Sequence, residues 1–227
     1  MPDKNDLGID WGQVKGLLLK SEKIPSKSKN RIMTCVKACL KEAVSLADPK
    51  HIALEKSILN NKSGSIELEG AVTLSSGYLY SNLKGATHVN ILLVTLGKDL
   101  EDAASKWMKD GDELRGYLLD RIGSLAVEAL AEKIEGRLRE KYGHDNRSVS
   151  MRFSPGYCDW PIEEQFELAK AADFSSIGVT LTKDCVMVPR KSISAVVGIG
   201  PKGLFLKKRP QCAICDMSDC AYRRGPV

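Results

Sequence analysis

A chain of 227 residues that is 43% apolar can bury a sizeable core and is long enough for one large domain or two small ones. Its formal charge of +5 is the small remainder of 34 basic against 29 acidic side chains. The excess sits at Lys207-Lys208-Arg209 and Arg223-Arg224, too little for a nucleic-acid partner. No apolar run reaches the roughly 18 residues of a membrane span. The opening MPDKNDLGID lacks the apolar core of a signal peptide, so the expected location is the cytoplasm.

The N-terminal third reads as helical. Asp10 to Lys20 places Val14, Leu17 and Leu18 on one side of a short helix. A longer helix capped by Ser26 runs through Ala47, with Ile32, Cys35, Val36, Cys39, Leu40 and Ala43 recurring at three-to-four spacing, and Asp48-Pro49 ends it. His51–Leu59 and Ser65–Leu68 read as strands joined by the turn-rich Asn60–Gly64. Ser75 or Ser76 starts a short helix that stops near Lys84-Gly85. Val89–Leu96 is a buried strand closed by Gly97, and Asp99–Met108 a helix.

From Asp112 to Lys141 the pattern gives one long helix, with Leu114, Leu118, Ile122, Leu125, Ala129 and Ile134 toward the core. Gly116, Gly123 and Gly136 lower its propensity but permit close helix packing. Strands follow at 148–153, 177–182, 184–188 and 193–200, with a helix over Glu163–Ala172 between the first two. The strands at 148–153, 177–182 and 193–200 are expected in one sheet against the long helix. Helices first and strands later, without regular alternation, define an α+β fold with a mainly antiparallel sheet.

Chemistry concentrates after residue 150. Arg152-Phe153-Ser154-Pro155-Gly156-Tyr157 combines a planar guanidinium, a turn and an aromatic ring. Pro155 fixes its own φ, and Gly156 permits positive φ and close approach of a ligand to the backbone. Taken alone, such a stretch is also an ordinary surface turn. Gly198-Ile199-Gly200-Pro201-Lys202-Gly203 follows a strand like a phosphate loop, but Pro201 and the lack of a following helix make it a turn. His51, His88 and His144 have no spacing that suggests a metal or catalytic group.

Seven cysteines do not form a secreted framework. Cys35 and Cys39, one helical turn apart, and Cys185 read as core residues. Cys212, Cys215 and Cys220 form C-x-x-C-x-x-x-x-C in a polar tail, a spacing suited to zinc or an iron–sulfur cluster. Cys158 or a partner would supply a fourth ligand. A thiol-rich tail without metal is the alternative.

Three ordered motifs carry a family resemblance. R-x-x-x-G-Y at Arg152–Tyr157 is followed by G-x-x-L-T at Gly178–Thr182 and M-x-P-x-x-S-x-S at Met187–Ser194. This succession resembles the activation domain of cobalamin-dependent methionine synthase, most strongly over residues 148–200. The likeness extends more weakly to the long helix near 112–141 and to Leu83–Gly97. It implies an activation-domain-like unit over residues 1–200; the Pro-, Lys- and Cys-rich tail over 201–227 reads as an appendage outside the family's core motif.

The resemblance further implies S-adenosylmethionine held in a shallow groove and used to rescue oxidised cobalamin by reductive methylation. By the same likeness Arg152, Gly156 and Tyr157 are cofactor-binding, with Ser154 and Pro155 setting the backbone between them. Glu128 resembles an acidic helix position near the cofactor. Asp10, in Ile9-Asp10-Trp11, resembles an acidic residue for the methionine ammonium and reads equally as a helix cap. Phe205 falls near a family tyrosine. No homocysteine, folate or cobalamin module is visible, so the cobalamin is expected on a separate methyltransferase protein, with flavodoxin or ferredoxin as a possible electron donor. An iron–sulfur reductive activator and a non-enzymatic docking module are the alternative functions.

Overall fold

The computed structural model describes residues 8–21, 29–62 and 64–205. In chain order the elements begin α1 (Trp11–Ser21), α2 (Lys29–Leu46), β1 (Lys50–Lys62), β2 (Ser65–Leu68), β3 (Val72–Ser75) and α3 (Gly77–Asn82). They continue β4 (His88–Thr95), α4 (Asp99–Lys109), α5 (Glu113–His144), β5 (Arg147–Phe153) and α6 (Gln165–Ala172). Last come β6 (Thr180–Leu181), β7 (Met187–Val188) and β8 (Ser192–Pro201). Two compact units result: Met1–His51 with Val94–Ile134 and Phe174–Ile193, and Ile52–Leu93 with Glu135–Asp173 and Ser194–Val227.

The first unit is helical. α2 buries Val36, Cys39 and Ala43, the apolar stripe its sequence spacing required. Burial and the neighbouring Cys35 push the Cys39 thiol up to about 12, which makes it an inert core residue. Glu42 on α2 accepts from Trp107 Nε1 at 2.9 Å and from Arg115 Nη2 at 2.7 Å, and the Arg115 guanidinium lies 3.5 Å over the Trp107 ring. Acidic Asp99, Glu101 and Asp102 in the first turn of α4, and Lys106 and Lys109 in its last, match the helix dipole.

Gly116 and Gly123 of α5 mark the approach of α4. A Cβ at Gly116 would lie 2.5 Å from Met108 Cγ, and one at Gly123 2.6 Å from Leu100 Cδ2. Their seven-residue spacing puts both on one helix face. These glycines lower helix propensity and are retained because side chains there would separate the helices.

The M-x-P-x-x-S-x-S segment is held by this unit. Buried Glu101 accepts the backbone N–H groups of Arg190 (2.7 Å) and Lys191 (3.3 Å). Lys191, itself buried, reaches Asp120 at 2.7 Å and Ser124 at 2.9 Å on α5. The Ser192 hydroxyl lies 2.8 Å from Thr95 Oγ1 and 2.7 Å from the Pro189 carbonyl. This part of the motif is therefore structural.

The second unit is built on a six-stranded sheet, order β3-β2-β1-β4-β8-β5. The β1/β2, β2/β3 and β5/β8 pairs are antiparallel. The fold is thus the α+β class expected. Leu138 and Tyr142, from the last turns of α5, cluster with Val149 of β5 and Val197 and Ile199 of β8. Tyr142 donates to Glu55 at 2.8 Å, and Arg147 pairs with the same carboxylate at 3.1 Å. Arg147 Nη2 also lies 2.9 Å from His88 Nδ1, which places His88 in a strand-face network.

Two expectations are corrected. Residues 177–182 do not join the main sheet. Phe174–Ile177 is a 3₁₀ turn, Gly178 takes φ +79°, and Thr180-Leu181 pairs only with Met187-Val188 in a separate ribbon. The polar turn around Lys183-Asp184 lets the strand close on its own neighbour, a shorter loop than a route to the sheet. Nor is Gly198–Gly203 a turn throughout, because Gly198 to Pro201 complete β8. A Cβ at Gly198 would lie 2.4 Å from Leu83 Cδ2 and one at Gly200 2.5 Å from Leu204 Cδ2, so these glycines admit packing onto a strand. β3 was not anticipated; it is four residues long and runs directly into α3.

Candidate functional site

Arg152 is aimed by a bulge in β5. Val149 pairs with Ile199 and Arg152 with Val197, so three steps on β5 answer two on β8. The Ser150 hydroxyl stabilises the irregularity: it accepts the Gly198 N–H at 2.8 Å and donates to the Met151 carbonyl at 2.6 Å. Directly paired residues share a sheet face, as do residues two apart. Arg152 therefore joins Val149, Val197 and Ile199 on the face that meets Leu138 and Tyr142. Unbroken alternation would have placed it on the other face.

On that face the Arg152 Nη1 atom approaches Glu135 Oε2 of α5 at 3.9 Å, an ion pair longer than a hydrogen bond. Glu135 is buried and also accepts from Arg139, one turn along the helix. The same bulge sends Phe153 to the opposite face, where its ring meets Tyr78 edge-on with centroids 5.6 Å apart.

Beyond Phe153 the chain leaves the sheet through half-buried Ser154 and buried Pro155. Gly156 takes φ +86°, a conformation that L side chains rarely adopt. Its N–H donates to the Trp160 carbonyl at 2.8 Å, and Trp160 N–H returns to the Tyr157 carbonyl at 3.1 Å, closing the loop on itself. Two side chains fix its far end. Trp160 is fully buried, and the Asp159 carboxylate accepts from Ser76 Oγ at 2.6 Å and Tyr78 N at 3.1 Å at the start of α3. On this anchored loop Tyr157 remains 47% exposed.

Phe205 belongs to the same unit. Its ring edge would touch a Cβ placed on Gly198, at 3.2 Å, and the Ser150 hydroxyl lies 3.4 Å from that point. The structure thus brings Phe205 beside the bulge that aims Arg152. Cys158 is half-buried on the loop with φ +55°.

Glu128, half-buried on α5, and Asp10 belong to the other compact unit. The Asp10 carboxylate accepts from Gln13 N at 2.9 Å, which is an N-terminal helix cap. Cys212, Cys215 and Cys220 lie outside the described residues. Among the described residues no group of three or more metal-ligating side chains comes together.

Sequence reasoning singled out neither Glu135 nor Asp159 for a role. Glu135 carried a signal: it stands in register with Leu138 and Tyr142, a carboxylate on an apolar stripe.

The six-stranded sheet thus carries a guanidinium, a positive-φ glycine and an exposed tyrosine at the end of one edge strand. Residues 71–207, more than half of the chain, match the family described as vitamin B12 dependent methionine synthase, activation domain, and the chain belongs to that family. Among solved structures it is similar to the crystal structure of the MetH reactivation domain bound to AdoHcy, with a TM-score of 0.64 and 16% identity over 89% of this chain and 76% of that one. A search of curated protein sequences finds no match.

Proposed function

We propose that the chain binds S-adenosylmethionine through Arg152–Tyr157 and serves the reductive methylation of cobalamin carried by a methyltransferase partner. The observation that carries this reading is the loop itself, in which a bulge-aimed guanidinium, a glycine at φ +86° and an exposed tyrosine ring follow one another within R-x-x-x-G-Y. Membership of the activation-domain family supports it. So does a structural neighbour whose bound molecule, AdoHcy, is S-adenosylmethionine without its methyl group.

The donor set fits such a ligand. Arg152 offers planar donors to the amino-acid carboxylate. The backbone around Gly156 admits close approach, and Tyr157 offers a face to the adenine. Phe205 is a further aromatic candidate for the adenine. When bound, S-adenosylmethionine supplies a methyl group to cobalamin that an external electron, from a flavodoxin- or ferredoxin-type donor, has reduced. The chain's own task is to hold and orient the donor in an open groove.

Isothermal titration of the full chain with S-adenosylmethionine tests this. The expected result is saturable binding that S-adenosylhomocysteine competes away. No binding by folded protein overturns the reading.

A further inference from the structure

We propose that Asp159 is a positioning residue for the ligand loop, holding Gly156 and Tyr157 against the β3–α3 corner in the attitude that receives the adenosyl group. The inference rests on the reading that Arg152–Tyr157 binds S-adenosylmethionine. Asp159 acts through the loop rather than on the ligand.

The loop is tied at both ends to one residue of α3. Where the chain leaves the sheet, the buried Phe153 ring meets the Tyr78 ring edge-on, with centroids 5.6 Å apart. Where it returns, both Asp159 oxygens accept the Tyr78 N–H at 3.1 Å, and Oδ1 also accepts from Ser76 Oγ at 2.6 Å. Residues 154–158, with Gly156 and Tyr157 among them, span the interval between these fixed points. Further along the same stretch, Glu164 Oε2 accepts the Ser75 N–H at 3.1 Å. Two carboxylates therefore clamp the loop to the corner where β3 becomes α3, and hydrogen bonds to a charged acceptor are the stronger kind.

The start of α3 has its own cap. The Ser76 hydroxyl accepts the Leu79 N–H at 3.0 Å, so the helix is secured without Asp159. Gly77 stands next to that cap, and a Cβ there would lie 3.0 Å from Asp159 Oδ2. Glycine is a poor helix former, and its place in this first turn leaves room for the carboxylate. The loop has the greater need of an anchor. Gly156, at φ +86°, is the residue type with the widest backbone freedom. The bonds from Gly156 N–H to the Trp160 carbonyl and from Trp160 N–H to the Tyr157 carbonyl make the turn one closed ring. Asp159 stands inside that ring, so fixing its side chain fixes the ring as a body. A loop ordered before binding loses less entropy when the ligand arrives.

The test is calorimetry on the full chain with S-adenosylmethionine and with methylthioadenosine, which keeps the adenosyl group and lacks the amino-acid end. Hydrogen exchange of residues 154–160 is followed beside it. Asp159→Ala is expected to weaken both probes about five- to tenfold and to speed exchange in that segment, with exchange in β4 as in wild type. Asp159→Asn keeps one acceptor oxygen and is expected to recover part of the affinity. Wild-type affinity in Asp159→Ala, or a loss confined to S-adenosylmethionine, overturns the role. So does a loss accompanied by faster exchange throughout β4, which marks a merely structural contact. If Asp159→Ala does not fold, Asp159→Asn must weaken both probes with faster exchange in 154–160 alone, and wild-type affinity there overturns the proposal. No binding of methylthioadenosine by the wild-type chain overturns it as well, because the loop then does not hold the adenosyl group. Unchanged binding of both probes in Tyr157→Ala removes the underlying site reading. A loss in Tyr157→Ala without one in Asp159→Ala removes only the role of Asp159.

Discussion

A guanidinium that meets a carboxylate in a partly dry setting forms a charge-assisted hydrogen bond, worth about 1.5–3 kcal/mol. With 19% of its side chain exposed beside a buried carboxylate, Arg152 has that setting. Arg152→Ala is therefore expected to weaken S-adenosylmethionine by about ten- to a hundredfold in calorimetry. A folded variant with wild-type affinity would remove Arg152 from the site. The residue itself was legible, because R-x-x-x-G-Y places a guanidinium, a turn glycine and an aromatic ring at fixed spacing. Its surroundings were not. Glu135 is one acidic residue among several on α5, and only the face of the helix it occupies separates it from solvent-facing Glu132 or Glu140. Asp159 was equally silent, since its partners Ser76 and Tyr78 lie some eighty residues away in sequence.

At the scale of elements, the Ser150 bulge sets which face each end of β5 presents. Nothing in Ser148-Val149-Ser150-Met151-Arg152-Phe153 announces it, because simple alternation reads as well through the segment. The signal that was missed is the pairing of a serine with Gly198 on the opposing strand, visible only once register is known. Ser150→Ala would leave the buried Gly198 N–H without its acceptor, at about 1–3 kcal/mol. Denaturant unfolding should show that loss, and an unchanged midpoint would mean that the bulge is held by backbone geometry alone. The long helix, β4 and the β1/β2 hairpin were legible for the opposite reason, being fixed by local periodicity and turn chemistry.

The link between α5 and β1 makes a pH-dependent contribution to stability. Burial raises the Tyr142 phenol, and the hydrogen bond to Glu55 raises it further, up to about 12. Burial also pushes Glu55 up, but hydrogen bonds from Tyr142 and Arg147, with the Arg147 charge, outweigh it and hold the carboxyl below its ordinary value. The neutral phenol thus contributes stability that is present below the ordinary tyrosine value of 10 and lost as pH rises toward 12. The ionised Glu55 contributes stability lost as pH falls through its lowered value. Tyr142→Phe should flatten the fall in unfolding midpoint between pH 10 and pH 12 relative to wild type. Parallel curves for the two proteins would show that the phenol does not titrate with folding.

For the whole molecule, the sequence pattern supplied the fold class but not where every strand goes. Residues 177–182 carry apolar runs like those of β8, yet they pair locally, a competition that strand propensity cannot resolve. The cysteine tail is a different case. Cys212, Cys215 and Cys220 have soft-metal spacing, and Lys207, Lys208, Arg209, Arg223 and Arg224 favour their thiolates by opposite charge. We propose that they bind zinc or an iron–sulfur cluster, with Cys158 or a partner completing the set. Anaerobically prepared protein should contain close to one equivalent of zinc or the iron of one cluster, and Cys212→Ser together with Cys215→Ser should remove it. Less than about a tenth of an equivalent overturns the proposal, because a structural site is filled when its ligands are formed. If Cys158 is the fourth ligand, Cys158→Ser should lower metal retention and disturb the loop that carries Gly156 and Tyr157. Full retention in that variant would assign the fourth position to a partner or an exogenous group.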